Sequence, residues 1–131
     1  MDFASLNDDW KRSIRSALEL GETATPTPKQ IAALKILELR GRKITDLEPL
    51  RSLTKLEHVI LVDTQVSDPT PVASLPKVTK LWVRLTKKLK DLTPIEGMKL
   101  EWLQLHSTGV GQKVAKAYGE RHPECTVDTG R

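Results

Sequence analysis

The chain has 131 residues, enough for one domain that buries a core without disulfides or metals, and its 21 Lys and Arg against 17 Asp and Glu give a mild net charge of +4. A single cysteine, Cys125, excludes an internal disulfide and cannot build a metal site by itself. No apolar core region follows the start MDFASLNDDWKRS and no run of about eighteen apolar residues occurs, so a soluble, cytoplasmic chain is expected, with export that uses no cleaved signal left open.

In chain order, Asn7-Asp8-Asp9 caps a helix whose Trp10, Ile14 and Leu18 recur at a spacing of four, and Gly21 is placed to stop it. Trp10 falls on the apolar side of that helix, which assigns it to the core. From Leu34 the chain repeats every 22 residues: LKILELRGRKITDLEPLRSLTK, LEHVILVDTQVSDPTPVASLPK, VTKLWVRLTKKLKDLTPIEGMK and LEWLQLHSTGVGQKVAKAYGER. Position one holds Leu34, Leu56, Val78 and Leu100, position four holds Leu37, Val59, Leu81 and Leu103, and position six holds Leu39, Leu61, Val83 and Leu105. Such columns mean that one unit cannot bury its apolar edge alone, whereas stacked neighbours share a continuous core.

The leading segment of each unit alternates, as in Leu37-Glu38-Leu39 and Leu103-Gln104-Leu105, which predicts a half-buried strand and hence a parallel sheet. Pro49, Pro71 and Pro94 then forbid a ladder and predict a tight turn or short helical return on the other face. In the third unit Leu89 and Asp91 arrive one residue late, so an extra residue is expected at about Lys87-Lys88, as a bulge after the strand. Downstream, Gln112 to Arg121 predicts a helix with Val114, Ala115 and Tyr118 on one side, and Pro123 to Val127 a final short strand.

This unit resembles the 22-residue leucine-rich repeat of the internalin-like class, and DDWKRSIRSALELGETATPTPKQIAALKILEL resembles the helical cap before the first repeat in its bacterial members. The resemblance implies a right-handed α/β solenoid with a parallel sheet, a helical N-terminal cap and a C-terminal helix, in a bacterial protein-binding module. The expected organisation is one domain over 1–131, with an N-terminal cap over 1–33, repeats over 34–111 and a C-terminal cap over 112–131. Arg42, Thr64, Thr86 and Thr108 stand where the family often carries Asn, so a ladder of threonine hydroxyls is expected in place of the usual amide ladder.

Function must be sought on the face of the sheet that the repeats leave open. Position three carries Ile36, His58, Lys80 and Trp102, position five Glu38, Ile60, Trp82 and Gln104, and position seven Arg40, Val62, Arg84 and His106. Strands about 4.8 Å apart bring Trp82, Trp102, Ile60, Val62 and His58 into one neighbourhood, with Lys80, Arg84, Gln104 and His106 as a polar rim. Tryptophan beside arginine is the composition of a binding hot spot, so a partner protein is expected there unless an end cap or the bulge folds over the rings. Self-association through the same rings is the alternative within that class. If His58 or His106 lies in the interface, affinity should vary with pH near six to seven, where imidazole ordinarily charges.

A second reading is nucleic acid or another acidic polymer, met by Lys77, Lys80, Arg84, Lys87, Lys88 and Lys90 with Trp82 interleaved. Glu38, Glu48, Glu57, Asp63 and Asp68 in the first two repeats confine that stretch to one side, and the same charges could steer an acidic protein. No enzyme is expected: no phosphate-binding loop, nucleophile elbow or HExxH is present, and His58 and His106 fall about 10 Å apart, too far to share a metal. Cys125 has no repeat-fixed His partner, and no cofactor is implied.

Overall fold

In the computed structural model, which describes residues 1–130, the N-terminal segment covers one edge of a parallel sheet. Helix α1 (Asp8–Ala17) starts on Asn7, whose side chain accepts the Trp10 N–H at 3.2 Å, while Asn7 Nδ2 donates to the Lys43 carbonyl at 2.8 Å. Ser13 Oγ accepts the Arg40 N–H at 3.1 Å and Asp9 Oδ2 accepts the Lys43 N–H at 2.9 Å, so the helix supplies acceptors to an edge that would otherwise invite pairing. Trp10 and Ile14 are buried in the core, as their spacing requires. The helix does not run to Gly21. Glu19 adopts a left-handed φ of 57°, with Leu20 N–H on the Arg15 carbonyl at 2.8 Å and Glu19 N–H on the Ser16 carbonyl at 3.1 Å. These two bonds satisfy the last free carbonyls of the helix two residues before the glycine. A short helix α2 (Pro28–Ala32) follows, set by reciprocal bonds between Thr27 and Gln30.

The strands β1 (Ile36–Arg40), β2 (His58–Val62), β3 (Lys80–Arg84), β4 (Trp102–His106) and β5 (Thr126–Asp128) then lie side by side in chain order, all parallel. Register follows the 22-residue period from β1 to β4, so Leu37, Val59, Leu81 and Leu103 form one row, and the twelve aliphatic residues of positions one, four and six are all buried. The returns on the opposite face are a 3₁₀ turn at Glu48–Ser52, the single helical turn α3 (Thr70–Ala73) and a 3₁₀ turn at Thr93–Ile95. One device starts all three: Asp46, Asp68 and Asp91 accept the N–H two residues on, at 2.9, 3.0 and 2.9 Å. Leu50, Val72 and Ile95 then close the core from that side.

After β1, β2 and β3 the ladder runs one residue further, and after β1 to β4 the chain turns through left-handed backbone. Gly41, Asp63 and Leu85 donate their N–H to the carbonyls of Val62, Arg84 and His106, and φ at Gly41, Asp63, Leu85 and Ser107 is 132°, 53°, 51° and 56°. Leucine is the misfit in that column, since its Cβ crowds the following carbonyl and its side chain is 52% exposed. Leu85→Asn is therefore expected to raise stability by about 1 kcal/mol in urea denaturation, because asparagine tolerates this backbone and little burial is lost.

The late phase of the third repeat is taken up in a turn at Lys87 and Lys88, closed by the Leu89 N–H on the Thr86 carbonyl at 3.3 Å, rather than in a strand bulge. It presses the carbonyls of Lys87 and Leu89 onto Gly109 of the next unit, where a Cβ would meet them at 2.4 and 2.9 Å. Gly109→Ala should cost about 2 kcal/mol in the same assay, whereas Gly97→Ala, which meets nothing within 4 Å, should change stability little. The threonine ladder forms only in part. Thr64 and Thr86 hydroxyls are 3.0 Å apart and buried, Thr86 Oγ1 donates to the Arg84 carbonyl at 3.0 Å, and Thr108 instead accepts the Val110 N–H at 3.2 Å.

At the far end helix α4 (Gln112–Arg121) buries Ala115 and Tyr118 but leaves Val114 43% exposed, since Val114 lies off the stripe that Ala115, Tyr118 and His122 make on the helix. The final strand begins at Thr126, later than the sequence pattern placed it, after Cys125 N–H closes a turn on the His122 carbonyl at 2.9 Å.

Candidate interaction face on the sheet

Alternation turns positions three, five and seven of every strand to the open side. The register sets His58, Lys80 and Trp102 in one row, Ile60, Trp82 and Gln104 in the next, and Val62, Arg84 and His106 in the third. Trp82 and Trp102 are thus diagonal neighbours on adjacent strands. Lys80 and Arg84 are exposed, whereas His58, Ile60, Trp82, Trp102 and His106 are half-buried.

Two expected members are not exposed. Val62 is buried because its short side chain lies between the long Arg40 and Arg84 side chains of the adjoining strands. Gln104 is buried because it links two strands: it accepts from Arg84 Nε at 2.8 Å, and its Nε2 reaches Asp128 Oδ2 at 3.5 Å. Ile36, 57% exposed at the β1 margin, joins the face instead. It shares a column with His58 and Trp102, so the repeat alignment already held the signal. Asp128 was not readable in that way, because β5 pairs with β4 at an offset of 24 and leaves the 22-residue period.

Side chains brace one another across the face. His58 meets Trp82 edge to face with centroids 4.7 Å apart, and the Arg84 guanidinium lies 5.4 Å from the Trp82 ring centroid. The indole N–H groups of Trp82 and Trp102 are out of solvent and find no acceptor among the described residues. His106 Nε2 is 3.0 Å from Asp128 Oδ2, a close contact rather than an aligned hydrogen bond, and Gly130 lies against the His106 ring. The Gly130 N–H on Asp128 Oδ1 at 3.0 Å, with smaller help from the nearby His106 and Gln104 side chains, holds the Asp128 carboxyl below its ordinary pKa. Burial, with help from Lys80, pushes the His58 pKa down from that of a free imidazole, which disfavours its charged form.

The basic residues Lys77, Lys80, Arg84, Lys87, Lys88 and Lys90 are all exposed along the third repeat. Cys125 is buried and its thiol pKa is pushed up by burial, the opposite of an activated nucleophile. Among the described residues no group of three His, Cys, Asp or Glu side chains could hold a metal ion, and no helix is long and apolar enough to cross a membrane. A shallow cleft of about 400 Å³ lined by Arg12, Arg15, Ser16, Leu20 and Glu22 lies at the N-terminal cap, away from this face.

No protein-family model matches the chain, and no curated protein matches it in sequence. Solved structures do. An internalin, InlF, from Listeria monocytogenes superimposes with a TM-score of 0.72 at 22% identity, over 93% of this chain and 36% of that one. Internalin C2 from the same organism does so with a TM-score of 0.68 at 24% identity, over 88% of this chain and 50% of that one. The chain therefore spans half or less of the length of these structures, and the likeness is one of fold. The repeat period, in-register parallel strands and short returns of this chain make the same fold: a leucine-rich-repeat solenoid like that of these internalins.

Proposed function

We propose that this chain is a non-catalytic module that binds a partner protein on the open face of its sheet, in the manner of an adaptor, effector or inhibitor. The observation that carries this reading is the half-buried plate of His58, Ile60, Trp82 and Trp102, from which Lys80 and Arg84 stand out into solvent. Aromatic anchors beside arginine and within a polar rim are what interface hot spots are made of. Five strands locked in register hold these anchors at fixed spacing, so little conformational freedom remains to be lost on binding. The non-catalytic part of the reading rests on the separation of His58 from His106 and on the burial of Cys125.

The test is site-specific photocrosslinking in extracts of the source cells. A benzophenone side chain placed at Ile36 or Lys80 should capture a partner protein. One placed at Ala73, on the opposite side, should not. Trp82→Ala with Trp102→Ala should abolish capture while lowering stability by no more than about 2 kcal/mol per ring, because both rings are only half-buried. Capture from Ala73 alone, or capture unaffected by loss of both rings, would assign binding to another surface.

A further inference from the structure

The charges of the open face are not balanced within it. The strands carry two carboxylates on that side, Glu38 and Asp128, and both are engaged, Glu38 with Arg40 at 3.3 Å and Asp128 with His106 at 3.0 Å. At the N-terminal end the cations that follow β1 are matched as well, Arg42 with Asp63 at 3.3 Å and Lys43 with Asp8 at 3.9 Å. On β3 the pattern changes. Lys80 has no carboxylate partner among the described residues, and Arg84 spends its Nε on the neutral amide of Gln104, which leaves the rest of the guanidinium available. Lys87 and Lys88, beyond the end of the same strand, are exposed and equally unmatched among the described residues.

Lys80 and Arg84 open and close the central strand, four residues apart on one face, which separates them by about 13 Å along the strand. Between them sits Trp82, with Trp102 and Ile60 on the neighbouring strands. The surface is thus an apolar plate with one exposed cation at each end. A phosphodiester backbone suits it poorly, since it carries charge at every step and would seek an open ring face for its bases. Trp82 is half-buried and carries Arg84 over its ring.

We infer that the face recognises an extended acidic protein segment in which two carboxylate residues four positions apart flank an apolar side chain, the carboxylates meeting Lys80 and Arg84 and the apolar group resting on Trp102, Ile60 and the part of Trp82 that Arg84 leaves exposed. Lys87 and Lys88 add long-range attraction for the same partner. This inference rests on the reading that the open face is the binding surface.

The probe is the peptide Gly-Glu-Ser-Leu-Ser-Glu-Gly, whose first Glu, Leu and second Glu share one side of an extended chain. Binding is followed by NMR on the three indole N–H signals, with buried Trp10 as the internal control. Trp82 and Trp102 signals should shift while Trp10 stays. Affinity should fall about tenfold or more when both Glu are replaced by Gln, when Leu is replaced by Ser, or in the double variant Lys80→Ala with Arg84→Ala, and it should weaken at about 0.3 M salt. Equal binding of the Gln peptide, preferred binding of a ten-nucleotide oligo-dT, or no shift with any peptide would each overturn the acidic-segment inference. All three leave the open-face reading standing as long as photocrosslinks still map to Ile36 or Lys80, and crosslinks that map only to Ala73 would overturn both.

Discussion

Gly41→Ala is expected to destabilise the protein by roughly 4 kcal/mol and to lower Tm by on the order of 15 °C. Two independent costs add at this position. Its φ of 132° belongs to backbone that L side chains avoid, and a Cβ there would stand 2.2 Å from Asp9 Oδ2. The carboxylate cannot retreat cheaply, because Asp9 is buried and holds the Lys43 N–H at 2.9 Å and Arg12 at 2.9 Å. Displacing it would release α1 from the edge of β1, where Asn7 and Ser13 make the neighbouring bonds. Asp9→Ala combined with Gly41→Ala separates the two costs: the clash disappears and the backbone cost remains, so the double variant should lose less than the sum of the single losses. Gly21→Ala, which meets nothing within 4 Å, is the matched control and should change Tm little. Thermal melts of the parent, the three single variants and the double variant check this, and a Gly41→Ala variant as stable as the parent would mean that the cap is not held by Asp9.

The same cap shows what the sequence could and could not disclose. Its period of 22 residues aligned every buried strand position, because stacked coils bury chemically equivalent sites and selection for burial acts on whole columns. Trp10 and Ile14 were legible for the related reason of helical spacing. The end of α1 was not, since Glu19 takes the left-handed position that glycine usually fills, and nothing in a side chain announces tolerated strain. On the open face the columns named the right neighbourhood but not its exposure. Burial of Val62 depends on the reach of Arg40 and Arg84 from other strands, and burial of Gln104 on Asp128, which arrives only because α4 replaces a short return and shifts the register. Exposure is a property of neighbours, and neighbours outside the repeat carry no periodic signal. Thr108 failed to join Thr64 and Thr86 for the same reason, as the chain after the fourth strand follows a different path.

His122 should make stability fall as the solution turns alkaline. The residue is buried beneath the end of α4, and both ring nitrogens face backbone carbonyl oxygens, Nδ1 that of Tyr118 and Nε2 that of Glu96, each at 2.8 Å. A carbonyl can only accept, so both bonds form only when both nitrogens carry protons; the neutral ring would set one lone pair against another. Burial pulls the pKa of His122 down, yet the two carbonyls and the carboxylates of Glu96 and Glu124 outweigh it, and the net shift is upward. The other groups packed there are the Tyr118 ring, stacked at 4.0 Å, Arg121, which is doubly bonded to Glu96, and the protonated Cys125 thiol. Because the folded state holds the proton more tightly than the unfolded chain, this stabilisation is complete below the ordinary imidazole pKa of about 6.5 and is lost as pH rises through the higher folded value. Melting curves from pH 5.5 to 8.5 should therefore show Tm declining with pH. His122→Leu should be less stable by about 2–4 kcal/mol at the acidic end, where two charge-assisted bonds are removed, and should lose most of that slope. Nitrogen-15 spectra of the imidazole give the independent reading, two protonated nitrogens at pH 6. A parent protein whose Tm is flat or rises over this range, or a ring seen as a single neutral tautomer at pH 6, would show that α4 is anchored by shape alone and that the charge on His122 contributes nothing to the cap.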